Sequence, residues 1–204
     1  GKIALFLNSI DFENKVITRD EFQRVKRDGI LDDGTNIPFH QFPCLVVDGT
    51  SIVQTGGIIR FCGKLSGMYP KDDALGSALI DQFIDLATDI TVLVFNCGAG
   101  ANDETKKALR EELAAGELAR KLNILEKNLK NGHEWILGED MGLPDIAFWR
   151  LMGWLSSGMV DGIPTDMLKN YPKLSQVCHS VDNNPGIKEW VKQTYPEGYI
   201  RGNY

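Results

Sequence analysis

Two short segments hold residues whose types and spacing suit the capture of a peptide-like anion. The first is Phe42-Pro43, just ahead of the β-branched run Cys44-Leu45-Val46-Val47. Proline has no N–H to give a sheet, so before a strand it marks an edge or an unusual turn. Two arrangements fit it. In one, an ordinary trans proline opens the strand. In the other, a cis Phe42–Pro43 bond turns the Phe42 backbone outward, and its N–H and C=O pair with an extended peptide as an added strand would. The second segment is Gln54-Thr55, at a strand-to-helix junction. Thr55 is suited to N-cap the following helix. The free N–H groups and positive dipole at such a helix start also hold a carboxylate. There the Thr55 hydroxyl and N–H take the anion together, and the Gln54 amide reaches a neighbouring ammonium or carboxylate. The alternative is a plain cap that binds nothing.

Other polar groups carry less. Asp81, Asp85 and Asp89 recur at i, i+4 and i+8 and share one helix face. This is a solvated or salt-paired face, or a weak cation site, because carboxylates on one face rarely complete a coordination shell. His40, His133 and His179 are scattered, with no zinc spacing, so no metal site is expected. Neither a G-x-S-x-G nor a phosphate-cradling glycine loop occurs; Gly98-Ala99-Gly100 follows a helix and reads as a loop. Cys44, Cys62, Cys97 and Cys178 form no C-x-x-C pair, which suits a reducing, cytoplasmic compartment. The net charge of −6 and pI of about 5.1 come without a basic stripe, which argues against nucleic acid as a partner. The densest basic cluster, Arg24, Lys26 and Arg27, reads as a solvated helix face. The longest apolar run, residues 90–95, is too short to span a membrane, and no stretch reads as a signal peptide.

The elements that position Phe42-Pro43 and Gln54-Thr55 follow from pattern. Residues 2–10 read as the end of an amphipathic helix, 11–18 as a short alternating strand around Phe12, Val16 and Ile17, and 20–27 as a short helix. An Asp- and Gly-rich loop covers 28–36. The strand at 44–47, the two-residue turn Asp48-Gly49 and a return strand at 51–53 make a hairpin. Gln54-Thr55-Gly56 then opens a helix over 57–65. After a linker at 67–73 every segment is helical: 75–95, 103–129, 143–156, 174–182 and 187–195. The fold class is therefore α/β plus all-α, with a small α/β domain at 1–66 and an all-helical domain at 74–204.

Taken in order, these segments resemble the cytosolic glutathione transferases, nearest the prostaglandin D synthase-like sigma class. Residues 37–49, from Ile37-Pro38-Phe39-His40-Gln41 through Asp48-Gly49, are similar to the family's strand around its cis-proline. Gln54-Thr55-Gly56-Gly57 resembles the helix start that holds the γ-glutamyl group, with Thr55 in place of the usual serine. Residues 132–138, followed by Pro144-Asp145-Ile146-Ala147-Phe148-Trp149, resemble the family's folding motif in the helical domain. Tyr171-Pro172-Lys173-Leu174 and Pro185-Gly186-Ile187-Lys188 resemble its last helices.

The resemblance implies a thioredoxin-like N-terminal domain followed by an all-helical C-terminal domain, with glutathione as co-substrate. It implies that Pro43 is cis and that the Phe42 backbone pairs with the cysteinyl part. Gln54 and Thr55 would take the γ-glutamyl end and Lys26 the glycyl carboxylate, with Gln41 lining the same site. Asp89 would reach the neighbouring subunit's glutathione amine, with Asp85 a second acid near that interface, so a homodimer is implied. Three departures stand out. Phe22 occupies the place of a tryptophan that helps bind the glycyl end, and so lacks an indole donor. The loop at 28–36 adds negative charge beside an anionic ligand. Gly142 stands where Ser or Thr usually caps a helix.

The family's first strand and the tyrosine that follows it would lie before residue 1. None of Tyr69, Tyr171, Tyr195, Tyr199 or Tyr204 falls in that segment, so the thiol-activating residue is unassigned. Two functions follow. One is a detoxifying transferase that conjugates glutathione to an electrophile or isomerises a substrate. The other is a non-catalytic binding or scaffolding subunit of a larger complex.

Overall fold

The computed structural model describes residues 1–199 and 201–204. The chain divides into two units, Gly1–Asp72 and Asp73–Tyr204. In the first, helix α1 (Lys2–Leu7) buries Ile3, Ala4 and Leu5 and packs on α3. Helix α2 (Arg19–Asp28) opens on a capping box. The Thr18 hydroxyl accepts from the Glu21 N–H at 3.1 Å, and the Glu21 carboxylate accepts from the Thr18 N–H at 2.9 Å. Asp20 and Glu21 in its first turn and Lys26 and Arg27 in its last match the helix dipole.

Strands β1 (Cys44–Val47) and β2 (Thr50–Val53) pair antiparallel, with Cys44 opposite Val53 and Val47 opposite Thr50. Both turn residues between them, Asp48 and Gly49, have positive φ, which the two-residue hairpin turn requires. Helix α3 (Thr55–Ser66) follows directly. Val25, Leu31, Ile37 and Val53 form the core here, with Ile17, Phe42 and Cys44 packed against it.

The strand expected at 11–18 does not form. Val16 is 81% exposed, while Ile17 packs against the core. Among the described residues no backbone ladder includes this segment, and an extended chain without ladder bonds gains nothing from strand geometry. Thr18 serves instead as the cap of α2.

The second unit is helical throughout. Helix α4 (Ala74–Asn96) is capped by Asp73, and α5 (Asp103–Ala115) by Asn102. The single helix expected over 103–129 is broken at Gly116, whose φ of −102° and ψ of −106° lie outside helical values, and α6 (Glu117–Asn128) restarts there. Helix α7 (Leu143–Ser156) is central, with Phe148, Trp149, Met152 and Leu155 fully buried between α4 and α8. Helices α8 (Pro172–Asn183) and α9 (Pro185–Thr194) complete the unit.

Helix α8 has no side-chain cap from its own N-cap residue. Glu126 on α6 supplies one from a distance, its two carboxylate oxygens accepting from the N–H groups of Lys173 at 2.8 Å and Leu174 at 3.0 Å. Lys173 returns a bond from Nζ to the Leu129 carbonyl at 2.6 Å. Glu126→Ala leaves both donors without this partner. It is expected to cost about 2 kcal/mol, read as a lower urea midpoint at unchanged slope. The chain end packs on α7: Asn203 N–H donates to Ser156 Oγ at 2.9 Å, and Arg201 pairs with Asp182. A Cβ added at Gly153 would fall 2.4 Å from the Arg201 carbonyl oxygen, so glycine makes room for that crossing.

Candidate functional site

In the first unit, the residues expected to bind the ligand are linked side by side. The Phe42–Pro43 bond is cis. Phe22, from α2, stacks on Phe42 with ring centroids 5.8 Å apart and planes 22° apart. Lys26 lies one turn further along α2, with its Nζ 4.8 Å from the Phe22 ring centroid. Beside Phe42, the Gln41 Oε1 accepts from the Gln54 Nε2 at 2.9 Å. Gln54 has φ 72° and ψ 122°, a conformation costly for a residue with a side chain and one that recurs at functional positions.

Thr55 stands one residue away from its expected cap position. It is the first residue of α3, and Gln54 is the N-cap, making no side-chain cap bond. The starts of α2, α4, α5 and α9 are each capped by a side chain, from Thr18, Asp73, Asn102 and Asn184. Helix α3 instead opens with Thr55 and two glycines, and Gln54 and Thr55 are exposed. Its first N–H groups, with the dipole behind them, are open to an anion.

The acidic loop carries less charge toward the site than its composition implies. Asp28 pairs with Arg27 at 2.7 Å, Asp32 with Arg24, and Asp33 with Lys15. The hydrogen bond from Lys15 holds the Asp33 carboxyl well below the usual range, aided by Thr35. Lys26 takes part in none of these pairs.

Asp89 belongs to the second unit, where Asp85 and Asp89 are exposed on α4 and Asp81 is half-buried. Among the described residues no cluster of three His, Cys, Asp or Glu is arranged to hold a metal. All four cysteines are unpaired, and burial pushes the thiols of Cys44, Cys62 and Cys178 up. An open cleft of about 490 Å³ in the second unit is lined by Lys130, His133, Lys173 and Gln176, and none of the expected ligand residues borders it. No described helix is long and apolar enough to cross a membrane.

Two residues beside the site were given no role in it by the sequence. Phe39 is 72% exposed at φ 58°, and His40 follows at φ 52°. The only signal for them was their place beside Gln41-Phe42-Pro43.

Comparison with known proteins identifies the family and the fold. The family described as glutathione S-transferase, C-terminal domain, matches residues 85–194. Glutathione S-transferase 1 of Ascaris suum is 26% identical over 189 residues, covering 90% of this chain and 84% of that protein. Glutathione S-transferase A3 of Mus musculus is 26% identical over 185 residues, covering 90% and 78%. Among solved structures, rat hPGDS complexed with a quinoline aligns with a TM-score of 0.78 at 20% identity, covering 98% of this chain and 91% of that one. The glutathione S-transferase from Ascaris lumbricoides aligns at 0.76 and 24%, covering 97% and 92%. The fold is thus thioredoxin-like in the first unit and all-helical in the second. The chain belongs to the glutathione S-transferases.

Proposed function

We propose that the protein binds glutathione and transfers it to an electrophile, or uses it to isomerise a substrate. The observation that carries this is the uncapped start of α3, next to the Gln41–Gln54 bond and the cis Phe42–Pro43 peptide. In this reading Thr55 and Gln54 hold the γ-glutamyl carboxylate at the helix start, and the Phe42 backbone, set by Pro43, pairs with the cysteinyl residue. Lys26 meets the glycyl carboxylate as a point charge, and Gln41 lines the site between them. The segment 1–66 is the glutathione-binding domain, 67–73 the linker, and 74–204 the domain that receives the electrophile.

In this reading the order of motifs is most like that of the sigma class. A homodimer follows, in which Asp89 of one copy reaches the γ-glutamyl ammonium held by the other. The exposed Phe39 supplies an apolar contact suited to such an interface. The location is cytoplasmic and the role detoxification.

Catalysis requires the glutathione thiol, with an ordinary pKa of about 8.5, to be held as thiolate at neutral pH. A hydroxyl donating to the sulfur would do so. Phe22, a ring without an indole donor at the glycyl end of the site, favours a second reading, a non-catalytic glutathione-binding subunit of a larger assembly.

Retention on immobilised glutathione, with conjugation of a generic aryl halide, separates the two. Retention with turnover is expected. Retention without turnover selects the second reading, and no retention overturns both.

A further inference from the structure

We infer that His40 is a positioning residue that sets the spacing between the Lys26 ammonium and the Phe42 backbone; this rests on the glutathione reading above. The two ends of the proposed site come from separate elements, α2 and the segment leading into β1, joined by the acidic loop. His40 ties them together. Its Nδ1 lies 3.3 Å from the Lys26 carbonyl oxygen. A carbonyl only accepts, so Nδ1 carries the proton. That carbonyl is in the last turn of α2, where the helix leaves its own acceptors unpaired.

The imidazole also rests directly on the glycine that ends α2. A Cβ at Gly29 would fall 2.5 Å from both Cδ2 and Nε2 of His40. The approach is possible because residue 29 has no side chain and takes φ 73°. The backbone underlines the point. Phe39 and His40 are consecutive residues in left-handed conformation, which disfavours any residue with a Cβ. Nearby, the Ile37 N–H donates to the Gly29 carbonyl at 2.6 Å, and the His40 N–H to the Ile37 carbonyl at 3.1 Å. The chain turns back on the end of α2 and is fastened there by the histidine. The next residue, Gln41, makes the bond to Gln54. A ligand that spans Lys26 and Phe42 senses the tether; one that stops at Phe42 does not.

The test is His40→Gly in the full chain. Glycine takes the same dihedrals freely, so the variant removes the side chain and keeps the turn. Calorimetric titration is run with glutathione and with γ-glutamylcysteine, which lacks the glycyl carboxylate. Glutathione is expected to bind His40→Gly about threefold more weakly, the size of one exposed hydrogen bond, with γ-glutamylcysteine unchanged. His40→Asn tolerates left-handed backbone and presents an amide N–H, and it is expected to restore most of the loss. Unchanged glutathione affinity in His40→Gly overturns the role, and so does an equal loss for both ligands, which marks a merely structural residue. If the wild-type chain binds neither ligand, the site and the tether fall together.

Discussion

Replacing Asp145 with alanine is expected to lower the unfolding free energy by about 3 kcal/mol at neutral pH. Asp145 is fully buried at the start of α7. One carboxylate oxygen accepts from the Ile136 N–H and the other from the Gly142 N–H, both at 2.7 Å. Each donor left without a partner costs about 1–3 kcal/mol, less whatever is recovered by no longer burying a charge. Gly142, at the N-cap, has no hydroxyl to help hold α7, so more of the burden falls on the aspartate. The pH dependence has a definite sign. Burial pushes the carboxyl up to about 6, against the bonds from Ile136 and Gly142 that draw it down. Between the ordinary carboxylate value of about 4 and that level the native state keeps a proton that the unfolded chain releases. Wild-type stability therefore falls as pH rises through this window, and the Asp145→Ala variant has no such loss. The gap between the two is expected to narrow from about pH 4 to about pH 6 and level off above it. Urea unfolding at several pH values reads both effects. A loss under about 1 kcal/mol would mean that the two N–H groups find other partners.

The largest effect on ligand binding is expected at Thr55. Thr55→Val keeps the shape and removes the hydroxyl. A hydrogen bond to a charged group contributes about 1.5–3 kcal/mol, so glutathione affinity should fall about 10- to 100-fold. Stability should hardly move, because Thr55 is exposed and is not the cap of α3. Calorimetry with glutathione and a urea melt on the same protein give the two readings. Wild-type affinity in Thr55→Val would remove Thr55 from the site.

Much of the fold is legible in the sequence. The β-branched run and Asp48-Gly49 specify the hairpin because they leave the backbone few choices. The limits of α7 follow from a largely apolar segment behind Pro144. The strand expected at 11–18 failed because alternation describes a face and not a partner, and pairing is a property of two segments. The break at Gly116 was hidden among strong helix formers, where one glycine is only a modest penalty. At the site, residue types pointed to Phe42-Pro43 and Gln54-Thr55, but not to what holds them. The left-handed backbone of Gln54, Phe39 and His40 has no signature in composition. The substitution at Phe22 read as the loss of a donor. It also keeps a ring that stacks on Phe42 and lies beneath Lys26. The acidic loop read as a field opposing the ligand, and pairing with Lys15, Arg24 and Arg27 changes that local balance.

The distant cap on α8 bears on the order of assembly. The starts of α2, α4, α5 and α9 are capped by a residue next to them in the chain, so those helices can begin to form as soon as they are made. The bonds from Lys173 and Leu174 to Glu126 close loops of 47 and 48 residues. Their loop entropy must be met before they return any stability. The acceptor on α6 precedes α8 in the chain, so the opening turn of α8 is expected to settle when it docks on α6. Folding of the helical unit is therefore closed from its C-terminal half, with one glutamate registering that the two stretches have met.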